Sequence, residues 1–98
     1  MFHALADPTR RDIVRTVLVQ AHSVSALARR YPMSFAAVQK HVAVLEEAGL
    51  VTKRRNGRES LVHGDIDGVR DARSELDALE QLCRDRVAQM DRILAEDP

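Results

Sequence analysis

Apolar residues recur every three or four positions along most of this chain, which predicts helices. In "ADPTRRDIVRTVLVQ" Ile13, Val14, Val17 and Leu18 share one helical face. Asp7 reads as the N-cap and Pro8 as the first helical residue, giving a helix over about 8–19. Phe2, Ala4 and Leu5 predict a short helix before it. In "HSVSALARRYP" Ser23 is the N-cap candidate, Val24, Leu27, Ala28 and Tyr31 form the apolar face, and Pro32 stops a helix of about two turns. In "MSFAAVQKHVAVLEEAGL" Ser34 is the N-cap, Phe35, Val38, Val42 and Leu45 line one face, and Gly49 ends the helix. Two short helices joined by a three- or four-residue turn form a helix-turn-helix, here over about 24–48.

The period then changes. "LVTKRRNGRESLVHGD" holds Asn56-Gly57 between two strand-like runs, a hairpin signal over 50–63. A type I′ turn at Asn56-Gly57 sets Arg55 opposite Arg58, Arg54 opposite Glu59 and Val51 opposite Val62. From about 67 to 95 Val69, Ala72, Leu76, Leu79, Cys83, Val87, Met90 and Leu94 step by three or four. That predicts one helix of about 28 residues, or roughly 42 Å. So long an apolar stripe outruns what a small domain covers and marks a partner surface, most simply a second copy of the chain. The predicted fold is mainly α, a single domain over 1–98. It is a winged helix-turn-helix with a two-stranded β-hairpin wing and a long C-terminal dimerisation helix.

Composition sharpens this picture. A 98-residue chain suits one small domain that gains from a dimer interface. It holds one Cys and no apolar run long enough to span a membrane. A cytoplasmic protein is expected. The net charge is zero, yet residues 29–58 carry +5 and residues 65–98 carry −5. A basic middle beside an acidic helix predicts a surface facing a polyanion and a separate pairing surface.

"ALADPTRRDIVRTVL", "SVSALARRYPMS", "AVQKHVAVLEEAGLV" and "KRRNGRES" resemble the ArsR-type bacterial transcriptional regulators. They look most like the SdpR-like branch that lacks metal-binding motifs. The D-P-T-R-R segment, the K-H-V-x-V-L-E-x-A-G-L-V segment and the R-x-G-R tip carry the likeness, which covers almost the whole chain. It implies a homodimer that binds double-stranded operator DNA, usually as a repressor. Ser34, Phe35, Ala36, Gln39 and Lys40 match the family's DNA-contacting positions. Phe35 and Ala36 stand where polar readers are common, and the reading of Phe35 leans towards a core residue.

The residue chemistry agrees. Gln39 can pair bidentately with adenine, Lys40 can reach guanine or phosphate, and Ala36 can touch a thymine methyl. Ser34 sits at the positive end of its helix, suited to phosphate. His41 packs beside the reading helix or touches a phosphate. Lys53, Arg54, Arg55, Asn56 and Arg58 form a basic wing whose like charges an A·T-rich minor groove or a phosphate would relieve. The expected dimer interface is Phe2, Leu5, Leu76, Leu79, Cys83, Val87, Met90 and Leu94.

Other chemistry is not expected. His3, His22, His41 and His63 share no face with further metal ligands, so neither metal nor cofactor is predicted. Cys83 on the stripe reads as a small buried thiol rather than a redox switch. No glycine-rich phosphate loop or nucleophile elbow suggests an enzyme. The competing readings are a protein-interaction module, which leaves the wing arginines unexplained, and a metal- or thiol-responsive DNA-binding sensor. The sequence names no small-molecule inducer.

Overall fold

The computed structural model describes residues 1–96. Its elements run α1 (Phe2–Leu5), α2 (Pro8–Val19), β1 (His22–Ser23), α3 (Val24–Ala28), α4 (Phe35–Glu47), β2 (Val51–Asn56), β3 (Glu59–Gly64) and α5 (Ile66–Glu96). Side-chain caps set most of these boundaries. Asp7 accepts from the N–H groups of Thr9 and Arg10 at 2.7 and 3.1 Å. Ser23 accepts from Ala26, Ser34 from Ala37, and Asp65 from Asp67 and Gly68. Each satisfies backbone donors that a helix start leaves unpaired.

The end of α4 is equally determined. Gly49 takes φ +78°, Leu50 N–H donates to Leu45 and Gly49 N–H to Glu46. This pair of bonds is a Schellman stop, and it needs a left-handed residue that glycine supplies without strain. Gly68 of α5 then lies against this stop. A Cβ at Gly68 would come within 1.8 Å of the Gly49 carbonyl oxygen. Asp65 N–H also donates to the Leu50 carbonyl at 3.0 Å, so the end of α4 and the start of α5 share one backbone joint.

The core forms where α2, α3, α4 and the sheet meet. Ile13, Leu27, Val38, Val42, Leu45, Leu50, Val51 and Val62 are its fully buried members. Burial of each such side chain contributes about 1.5–3 kcal/mol. Tyr31 ties the helix-turn-helix connection to α2 by donating its hydroxyl to Asp12 at 2.7 Å.

The sequence expectations need four corrections here. The sheet has three strands, in order β1-β3-β2. The two residues of β1, His22 and Ser23, pair with Val62 and Leu61, and so short a strand leaves no periodic trace. Next, α3 stops at Ala28, so the connection to α4 spans residues 29–34, longer than three or four.

The hairpin register is shifted by two residues. Asn56 pairs with Glu59, Arg55 with Ser60, Arg54 with Leu61, and Val51 with Gly64. The turn is therefore Gly57-Arg58, with φ +65° at Gly57 and no positive φ at Asn56. Glycine at the first turn position fits type II′. A two-residue shift keeps Val51 and Val62 on the core face. It removes the Arg55–Arg58 opposition and places Gly64 where Leu18 leaves no room for a Cβ.

Lastly, Phe35 is not in the core; it is 46% exposed. Its residue opens α4, ahead of the buried Val38–Val42–Leu45 stripe.

Candidate nucleic-acid interface

The thirteen residues of α4 divide cleanly around the helix. Val38, Val42 and Leu45 point into the core, while Phe35, Ala36, Gln39, Lys40, Ala43 and Glu47 are exposed. The exposed set forms a contiguous arc at 3.6 residues per turn. Ser34 spends its oxygen lone pair on Ala37 N–H, which leaves its O–H free to donate outward.

The wing lies beside this arc. Phe35 and Gln39 of α4, Lys53 of β2 and Arg58 of the turn line one cleft, together with Ser25 and Ser60. Sequence reasoning overlooked both serines. Ser60 became visible only through its pairing with Arg55, and Ser25 through the position of α3. Lys53, Arg54, Arg55, Asn56 and Arg58 are all exposed. Among the described residues, every ion pair lies within α5: Arg70–Asp67, Arg73–Asp77 and Arg84–Glu80. The cations of the wing and Lys40 thus make no ion pair, and Lys53 and Arg58 lie on the same side as the exposed arc of α4.

His41 does not belong to that arc. It is half-buried, and its Nδ1 lies 3.2 Å from Nη1 of Arg10. A guanidinium only donates, so Nδ1 accepts and the neutral ring carries its proton on Nε2. Arg10 also donates to the carbonyls of Ala4 and His3, at 2.7 and 3.0 Å, and Arg11 donates to those of Leu5 and Ala6. The two arginines close the C-terminal end of α1, and Arg10 alone continues to α4. The Asp7 carboxyl is held below the usual aspartate range, chiefly by the backbone N–H of Arg10, with Thr9 N–H and the Arg10 guanidinium adding to it.

The stripe on α5 is mostly bare. Ala72 is buried and Val69 packs on the core. Beyond them Leu76, Leu79, Val87, Met90 and Leu94 are 51–70% exposed. Leu82 and Ile93, which the sequence pattern did not include, are equally bare. Cys83 is exposed in the single chain rather than buried. Of the α1 residues, Phe2 is exposed, whereas Leu5 packs on the chain's own core. No described helix is long and apolar enough to cross a membrane.

Residues 5–54 match the sequence profile of a helix-turn-helix domain. Over 76 residues the chain is 40% identical to the HTH-type transcriptional regulator Rv2034 of Mycobacterium tuberculosis, covering 78% of this chain and 71% of that one. An ArsR-like transcriptional regulator from Rhodococcus superposes over 99% of this chain and 89% of its own, with TM-score 0.88 and 29% identity. The chain belongs to the ArsR-type winged helix-turn-helix transcriptional regulators. A Mycobacterium bovis protein described as a possible ArsR-family regulator offers a further likeness. Its homodimeric winged helix-turn-helix DNA-binding domain matches 85% of this chain and 73% of its own, with TM-score 0.65 and 27% identity. As an ArsR-type regulator the protein binds DNA.

Proposed function

We propose that this regulator is a cytoplasmic, homodimeric repressor that reads a palindromic operator. The carrying observation is that Phe35 and Gln39 of the exposed arc line one cleft with Lys53 and Arg58 of the wing. In this reading the first turns of α4 enter the major groove. Gln39 selects adenine, Lys40 reaches guanine or phosphate, and Ser34 holds a phosphate at the helix start. Lys53, Arg54, Arg55, Asn56 and Arg58 follow the backbone and the adjoining minor groove. His41 acts indirectly, by holding α4 against Arg10.

The bare stripe on α5 supports the dimer, as does the homodimeric state of the M. bovis domain. The flanks of α5 favour antiparallel pairing. Residues 66–81 carry a net −3, and residues 82–96 carry none. A two-fold axis would set the two reading helices about one DNA turn, roughly 34 Å, apart.

A salt titration on an operator selected from random DNA tests the reading. Affinity should fall about 10³- to 10⁵-fold between 50 and 200 mM salt for six to ten phosphate contacts. Gln39→Ala should cost about 1–3 kcal/mol on the best site and relax base preference. Arg55→Ala should weaken all duplexes alike and flatten the salt slope. Leu79→Asp should yield monomers by sedimentation and abolish operator binding. Failure to bind any duplex at low salt, or an intact Leu79→Asp dimer, would refute the corresponding half of the proposal.

A further inference from the structure

The first turn of α4 presents an unusual surface to a polyanion. Phe35 is the most exposed of the chain's three aromatic residues, Phe2, Tyr31 and Phe35. The same helix buries Val38, Val42 and Leu45 completely, so the core had apolar positions to offer and Phe35 lies outside them. Around its ring the cleft is lined chiefly by polar groups, among them Ser25, Gln39, Lys53, Arg58 and the carboxylate of Glu59. Its neighbour on the arc is Ala36, also exposed and without a donor. Ser34, the helix cap, is assigned in the proposed reading to a phosphate rather than a base. The first side chain able to hydrogen-bond a base edge is therefore Gln39, one turn later.

An apolar spot beside the cations Lys53 and Arg58 has a specific counterpart in DNA. Of the groups that base edges present in the major groove, donors and acceptors dominate, and the apolar one is the C5 methyl of thymine. We infer that Phe35, flanked by Ala36, reads a thymine methyl in each operator half-site. This makes Phe35 a specificity-determining residue. It rests on the proposed entry of α4 into the major groove. The wing cations hold the phosphates on either side, and the ring buries the methyl between them. Hydrogen bonding at this step is then thin by construction, and discrimination comes from excluding water around one methyl group.

Deoxyuridine lacks that methyl and keeps every hydrogen-bonding group, so it isolates the contact. The probe is the duplex that the wild-type protein selects from a random pool, remade with each thymine singly replaced by deoxyuridine. One thymine per half-site should cost about four-fold in Kd when replaced, equivalent to about 0.8 kcal/mol for one methyl. The same replacement should leave the affinity of Phe35→Ala unchanged, while Phe35→Leu, which keeps an apolar surface, retains most of the discrimination. Equal affinity for thymine and deoxyuridine at every position overturns the inference. So does a uniform loss on all duplexes in Phe35→Ala, which would mean that the ring packs on the sugar-phosphate backbone. If the wild-type protein selects no duplex at all, the major-groove reading itself falls, and this inference with it.

Discussion

Nη1 of Arg10 lies 3.2 Å from Nδ1 of His41, and this contact joins the N-terminal helix pair to the helix that carries the exposed arc. Arg10 already holds two carbonyls of α1. A side chain fixed at three points is a brace, and a double-mutant cycle measures it. Arg10→Ala and His41→Leu should show a coupling of about 1 kcal/mol or more in chemical denaturation. Arg10→Ala should also weaken operator binding, whereas exposed Arg15→Ala should not. Additive stability losses would mean that the contact is incidental.

Gly68 gives a sharper test of packing. The Gly49 carbonyl sits where its Cβ would be, at 1.8 Å, and a backbone atom cannot rotate aside. Gly68→Ala should cost about 2 kcal/mol or more, consistent with a named steric mechanism. The midpoint of thermal unfolding should drop by about 4–8 °C for each kcal/mol. An unchanged midpoint would show that the joint between α4 and α5 is looser than described.

The turn register makes opposite demands on adjacent residues. With Gly57 at φ +65° and Asn56 in the strand, Gly57→Ala should cost about 1 kcal/mol, the penalty of a left-handed L-residue. Asn56→Ala should cost little. A type I′ turn at Asn56-Gly57 would make both substitutions costly, so equal losses would restore that register.

Asp7 predicts an acid limb. Its carboxyl is depressed in the fold by backbone N–H bonds, that of Arg10 first. A depressed carboxyl stabilises above its unfolded value, about 3.9, and the contribution is lost as pH falls through the lower folded value. Acid unfolding monitored by circular dichroism should therefore begin below about pH 4 and flatten in Asp7→Asn. Tyr31 has the opposite sign. Burial first, and then its bond to Asp12, raise its hydroxyl above the ordinary tyrosine range. Its contribution is full below about pH 10 and lost as pH rises past the raised value, an alkaline limb that Tyr31→Phe should remove.

What the residues disclosed in advance follows from range. Helices, caps and stops rest on interactions three to five residues long, so Asp7, Ser23, Ser34 and Gly49 stood out in the sequence. The basic wing did too, because charge is additive. The strand formed by His22 and Ser23 was hidden, since only its pairing with β3 creates it. The hairpin register was misread because Asn-Gly is a strong local signal, whereas the observed pairing of Asn56 with Glu59 puts the turn at Gly57-Arg58. The exposure of Phe35 was ambiguous, because a helix's first residue has no preceding turn to fix its surroundings. The brace from Arg10 to His41 spans 31 residues, and no local pattern announces such a contact.

The joint at Gly49 and Gly68 has a mechanical meaning. The 31 residues of α5 make a rod of about 46 Å, rooted where it bears on the stop of α4. Tilting that rod by only five degrees carries its far tip about 4 Å, roughly one base-pair step. A load on the distal turns would therefore bear on the end of α4 with the leverage of a long oar on a short rowlock.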